Sequence, residues 1–140
     1  MRRRLISDAN IPYPRLVSWL TDSTPRVILI DKEFNFIGSE GTTTGHACRG
    51  IDRCGADAGG QDTIKDTCDD NEEDIEATWD NAARSLIEIA SDKSIVGVGD
   101  AGVIRGKGLS VSGGSSNVII QNIHITVSRH FYLRVWKHLS

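Results

Sequence analysis

Apolar residues change their spacing along the chain, and each spacing predicts a different element. Over residues 14–20, Leu16, Val17 and Leu20 recur one helical turn apart with Trp19 beside them, which predicts a short amphipathic helix capping the end of a sheet. Residues 26–31 read Arg-Val-Ile-Leu-Ile-Asp behind Pro25, a β-branched run that predicts a buried strand. From 38 to 74 glycine, threonine and aspartate dominate and apolar periodicity disappears, so a long irregular excursion is expected there. Short apolar runs separated by glycine and asparagine then predict strands at 86–89, 94–98, 103–104, 109–111, 118–121 and 123–125, with no helix between them.

Part of this pattern repeats. Setting Lys93-Ser-Ile-Val-Gly-Val-Gly99 on Ser116-Asn-Val-Ile-Ile-Gln-Asn122 gives an offset of 23 residues (116 − 93) and places Gly99 on Asn122. Glycine and asparagine most readily take the left-handed backbone conformation that a sharp bend between strands requires. Val118 and Ile120 alternate on one face and Ile123 and Ile125 on another, so a bend at Asn122 keeps both pairs in one core. Strand, bend, strand and turn within about two dozen residues describe a coil of a parallel β-helix, in which like positions stack. An antiparallel sandwich with glycine turns is the competing all-β reading.

At 140 residues, 39% hydrophobic and 25% charged, the chain is sized for one domain burying roughly two thirds of its unfolded surface. Its net charge of −3 is too small to favour nucleic acid or an anionic membrane as a partner. No apolar run approaches the roughly 20 residues of a membrane span. Arg2, Arg3 and Arg4 have no apolar stretch behind them, so no secretory signal is read; either an intracellular chain or a missing true start is expected. Ten acids between 57 and 80 face Lys65 alone, which leaves the remainder basic, 15 against 9.

Candidate chemistry is mostly decoy. Gly97-Val-Gly99-Asp-Ala-Gly102 matches a dinucleotide fingerprint, but a phosphate site needs a helix starting at the glycines, and Val103-Ile-Arg-Gly-Lys-Gly108 reads as strand and turn. His46, Cys48, Cys54 and Cys68 offer four zinc ligands, yet the close cysteine pairing of zinc modules is absent, which favours a disulfide. The odd cysteine count leaves at least one without an intrachain partner. The acidic run 66–76 lacks the glycine and oxygen spacing of a calcium loop and reads as a solvated face. His124 alternates with Ile123 and Ile125 and so points away from the core or into a stack of coil-surface residues, where a lone histidine is more often solvated than catalytic. No glycine-flanked serine nucleophile or close carboxylate pair supports a hydrolase.

Several segments, in order, resemble the N-terminal portion of the pectin lyases, secreted enzymes of the pectate lyase superfamily. Leu16-Val-Ser-Trp-Leu-Thr-Asp22 with Pro25-Arg-Val-Ile-Leu-Ile-Asp-Lys-Glu-Phe-Asn-Phe36 resembles the family's capping helix and first strand. Gly38-Ser-Glu-Gly-Thr-Thr-Thr-Gly45 is similar to its threonine-rich loop. Lys93-Ser-Ile-Val-Gly-Val-Gly99, Gly102-Val-Ile-Arg-Gly-Lys-Gly-Leu109 and Asn117-Val-Ile-Ile-Gln-Asn-Ile-His-Ile-Thr126 are similar to its first coils.

The resemblance implies a right-handed parallel β-helix with a short N-terminal capping helix. Residues 1–126 would form the N-terminal part of one domain, with a disulfide-bearing loop at 38–80. It implies eliminative cleavage of methyl-esterified polygalacturonan with an arginine as base, an unusual role for so strong a cation. Pectin would be the partner of a secreted monomer, without nucleic acid, membrane, calcium or any other cofactor. Cys48 would pair with Cys68, and the partner of Cys54 would lie in sequence the family carries further on. So would the catalytic arginines and aspartate, which leaves no catalytic residue in this chain and implies that it is inactive alone. Residues 127–140 match nothing in the family, and Arg49-Gly50-Ile51 and Thr67 stand where the family places tryptophans. Competing readings are a noncatalytic solenoid fragment that binds polysaccharide or protein, and a calcium-dependent pectate lyase.

Overall fold

A computed structural model describes residues 3–6, of these the backbone only, together with 13–50 and 62–126. Cys54 and the segment 127–140 lie outside the described residues. The elements run β1 (Arg3–Ile6), α1 (Tyr13–Thr21), β2 (Arg26–Ile30), β3 (Glu33–Asn35), β4 (Thr42–Gly50), β5 (Glu72–Asp80), a single 3-10 turn (Asn81–Arg84), β6 (Ile87–Glu88), β7 (Lys93–Gly97), β8 (Val103–Arg105), β9 (Leu109–Ser110), β10 (Val118–Gln121) and β11 (His124–Thr126). The described chain is therefore mostly strand with one α-helix.

Strands from successive stretches of chain pair in parallel. One sheet has the order β1-β2-β7-β10, a second β11-β8-β3, and β6 pairs with β9. Each apolar position thereby meets its counterpart one level away: Ile28 on Ile95 on Ile120, and Phe34 on Ile104 on Ile125. The inner residues of these stacks are fully or nearly fully buried, and Leu16 and Leu20 of α1 close over them with Phe36, Ile87 and Ile89. Among the described residues only the β4–β5 ribbon and a bridge between Cys48 and Thr63 pair antiparallel, which sets the sandwich reading aside.

The uniform offset of 23 does not hold along a whole level. β10 sits on β7 with Val118 opposite Lys93, an offset of 25 (118 − 93). β11 sits on β8 with His124 opposite Val103, an offset of 21 (124 − 103). Only the bend keeps 23: Gly99 and Asn122 have φ of 56° and 55°, and the Asn122 amide donates to the Gly99 carbonyl at 2.8 Å. The turn before the strands is also duplicated, with Asp92 and Asn117 both left-handed and their side chains hydrogen-bonded at 2.5 Å. The drift comes from the longer corner between β7 and β8: between paired positions the chain advances 7 residues from Val96 to Val103 (103 − 96) but 3 from Gln121 to His124 (124 − 121).

The excursion is also more ordered than its composition predicts. β4 and β5 form a nine-residue ladder from Thr42 opposite Asp80 to Gly50 opposite Glu72. Its base is fixed by Asp80, which accepts from the backbone of Gly38 at 2.6 Å and of Ala82 at 2.9 Å.

One end of the core is closed by a charge. Lys93 lies on the inward face of β7 and is fully buried, its ammonium donating to the Asp22 carbonyl at 2.8 Å, to the Asp22 carboxylate at 2.9 Å and to the Thr24 carbonyl. Asp22 also grips Arg26, and this pairing, opposed by partial burial and reinforced by Lys93, holds its carboxyl well below the usual carboxylate range. The cluster sits just past the C-terminus of α1, where a cation also meets the negative end of the helix dipole.

Two outcomes are expected. Asp22→Asn leaves a buried ammonium without its counter-charge and lowers unfolding free energy by about 3–5 kcal/mol in urea titrations. Because the folded-state value is depressed, the stabilisation is fully present above the ordinary value of 3.8, declines below it and is lost as pH falls through the depressed value, so the variant has a flatter acid-unfolding curve. At the bend, a Cβ at Gly97 would meet the Asn122 carbonyl oxygen at 1.9 Å, whereas one at Gly99 meets nothing within 4 Å. Gly97→Ala therefore costs about 1–3 kcal/mol, whereas Gly99→Asn, which copies Asn122, stays within about 0.5 kcal/mol of the parent in the same titration.

Candidate functional site

The densest collection of chemically active side chains lies on the ribbon. Alternation along β4 puts His46 and Cys48 on one face, and the register sets Asp74 directly opposite Cys48. Cys48 is joined to Cys68 by a disulfide, the pairing that the resemblance implies. His46 is half-exposed and both ring nitrogens meet oxygens: Nδ1 lies 2.6 Å from the Lys65 carbonyl and Nε2 2.5 Å from the Asp74 carboxylate. Acceptors on both sides require two ring protons, and the Lys65 carbonyl, then Asp74, raise the pKa of the imidazole. The Cys68 sulfur stands 3.9 Å from Nε2.

The acidic run is partly self-neutralised. Lys65 binds Asp69 at 2.9 Å and also Glu72, while the Glu72 N–H donates to the Asp69 carbonyl at 2.9 Å and the Glu72 carboxylate accepts from the Asp69 N–H at 2.8 Å, closing the turn leading into β5. Glu73, Asp74 and Glu76 are exposed, in line with a solvated face. On the ribbon's other face Trp79 lies across Gly45, where a Cβ would meet the indole at 2.9 Å, with the Arg84 guanidinium 5.6 Å from its ring centre.

The remaining sequence candidates are dispersed. Gly97 ends β7 and Val103 begins β8, so no helix follows the glycines and the dinucleotide motif has no anion site. His124 is exposed and lines an open cleft of about 500 Å³ with Gly99, Asp100, Gly102, Asn122 and Ile123. A second recess of about 350 Å³ beside α1 contains the largely buried Lys107, already bound to Glu40 and to Ser85 at 3.1 Å. Sequence reasoning passed over both Lys93 and Lys107, since lysine is a residue type expected at the surface.

Every arginine whose side chain is described has a partner. Arg26 is held by Asp22, Arg49 by both oxygens of Asp62 at 2.9 Å, and Arg105 stands 3.6 Å from Glu33. Arg15 and Arg84 lie over Trp19 and Trp79. Arg49 thus braces the loop through Asp62. Among the described residues no helix is long and apolar enough to cross a membrane.

The doubly bonded imidazole makes a measurable prediction. Asp74→Asn removes one of its acceptors' charges, so the His46 titration followed by NMR shifts down toward the ordinary value of 6.5. In the parent, the raised value means that the His46 contribution to stability is complete below 6.5 and fades as pH rises through the folded-state pKa; an unmoved titration in the variant contradicts the pairing.

No family model matches the chain. Curated relatives do: it is 55% identical over 113 residues to "Probable pectin lyase F-1" of Aspergillus terreus, covering 79% of this chain and 29% of that protein. It is 53% identical over 117 residues to "Probable pectin lyase F" of Aspergillus niger, covering 80% and 24%, and 48% identical over 122 residues to "Probable pectin lyase A" of Aspergillus flavus, covering 86% and 32%. The chain thus spans about a quarter to a third of the length of these relatives. With identity of this order over about four fifths of its residues, the chain belongs to the pectin lyase family.

Proposed function

We propose that this chain supplies the first levels of a right-handed parallel β-helix whose complete form is a pectin lyase. Residues 1–126 make up the N-terminal part of a single domain, 38–80 its disulfide-bearing loop, and 127–140 stand outside the family pattern. The complete enzyme removes the proton next to the ester carbonyl of methyl-esterified polygalacturonan, expels the glycosidic oxygen from the adjacent carbon and leaves an unsaturated sugar. The protein is secreted, acts as a monomer on pectin, and uses no calcium, since an esterified substrate carries little charge for a cation to bridge.

The identity of 53–55% to pectin lyases over about four fifths of the chain carries this reading. Stacked parallel strands with matched left-handed corners support the coil, and the disulfide suits an extracellular setting. The relatives' names favour it over a calcium-dependent pectate lyase. Among the residues whose side chains are described we assign no catalytic residue, since each arginine there is engaged with a carboxylate or an indole. A noncatalytic fragment is the second reading, favoured by the apolar β10 edge, where Ile119 and Ile120 remain 48% and 42% exposed.

The test is the rise in ultraviolet absorbance of the new double bond on adding the purified chain to methylated pectin. No turnover is expected from the 140 residues, whereas a gene product carrying the family's further sequence turns over. Activity of the short chain would overturn the absence of a catalytic residue, and inactivity of the longer product would overturn the lyase reading.

A further inference from the structure

Beyond the lyase reading and independent of it, we infer that His46, Cys48, Cys68 and Asp74 form a latent divalent-metal site, closed by the Cys48–Cys68 disulfide and opened by its reduction. Donor atoms of His46, Cys48 and Cys68 all lie within 4.8 Å of one another. In a tetrahedral zinc site, metal–sulfur and metal–nitrogen bonds of about 2.3 and 2.0–2.1 Å place sulfur and nitrogen donors about 3.6 Å apart. The 3.9 Å between the Cys68 sulfur and His46 Nε2 is already close to that spacing.

The imidazole is oriented for the role. Its Nδ1 proton is donated to the Lys65 carbonyl, the second hydrogen bond by which metal-binding histidines are oriented, and Nε2 is left on the side of Asp74 and the Cys68 sulfur. Asp74 lies opposite Cys48 and 2.5 Å from Nε2, and its 76% exposed side chain is free to swing outward and supply the fourth donor. The opening at His46 and Asp74 also gives an ion its way in.

The frame does not depend on the disulfide alone. Paired backbone hydrogen bonds of 2.8 Å tie Cys48 to Thr63, and the Lys65–Asp69–Glu72 contacts hold the turn carrying Cys68. Reduction by a dithiol transfers two electrons and two protons to the sulfurs and leaves the reductant as its own disulfide. Binding of Zn²⁺ then displaces both thiol protons and the proton on Nε2. The two states are mutually exclusive, because each uses the same pair of sulfurs.

The test uses the full chain carrying Cys54→Ser, so that the third cysteine contributes no thiolate, and Co²⁺ as the probe. A phosphine reductant, oxidised to its oxide with one water per disulfide, avoids a competing thiol. The reduced chain is expected to bind one equivalent of Co²⁺ with tetrahedral visible bands and a thiolate charge-transfer band, both abolished by Zn²⁺; the oxidised chain shows neither. His46→Ala and Asp74→Asn, each still forming the disulfide, weaken Co²⁺ binding by at least about tenfold in the reduced state. Absent charge-transfer bands in the reduced chain overturn the site, as do bands unchanged by His46→Ala or equal binding by the oxidised chain. Far-ultraviolet circular dichroism is recorded in parallel. If reduction melts the strand signal and the metal does not restore it, the proposal also fails.

Discussion

Parallel pairing between levels is the constraint on which this structure rests. A parallel ladder satisfies a strand's backbone only if the neighbouring strand arrives in register, and the chain must travel around the molecule to bring it there. Here the register holds from Arg26 opposite Lys93 to Val118 opposite the same lysine, and it forces Ile28, Ile95 and Ile120 into one column. The corners complete the ladder, for example where His124 donates to the Gly102 carbonyl at 2.8 Å and Gly106 to the Thr126 carbonyl at 2.8 Å. Burial, corner chemistry and the position of α1 all follow from keeping those columns aligned.

Much of this was legible from residue type. The helix and the strands at Val118–Gln121 and Arg26–Ile30 follow from apolar spacing and β-branching, and the left-handed corners follow from Gly99 and Asn122. What escaped was information that a local window does not carry. The offset drifts from 25 to 21 because corner length is invisible to strand composition. β4 and β5 escaped because few of their residues are buried; the ribbon is held instead by cross-strand pairs such as Thr44 with Thr78 at 2.6 Å and by its disulfide. The buried Lys93 escaped because the Asp22 and Thr24 oxygens that accept its ammonium arrive from 71 and 69 positions away.

Chemistry followed the same division. The cysteine pair could be named through a family resemblance, while the residues alone favoured a disulfide over zinc without saying which cysteines form it. Geometry then added what spacing cannot carry: His46 touches the Cys68 sulfur, and its two nitrogens are committed to Lys65 and Asp74. The ribbon therefore concentrates the histidine and cysteine chemistry, whereas the charged groups of the coil, such as Glu33, Glu88 and Arg105, are spread over its surface. Support and chemistry sit on different parts of the chain.

The unequal offsets have an evolutionary consequence. If adjacent strands stay in register while the chain between them differs by four residues at a corner, then length at corners is nearly neutral with respect to the core. The ribbon is the same freedom at larger scale, because β2 and β7 are immediate neighbours in the sheet although 67 positions separate Arg26 from Lys93. A lineage can thus lengthen, shorten or replace a corner without a compensating change inside. New surfaces can arise by insertion at a corner, while the stacked interior keeps its register.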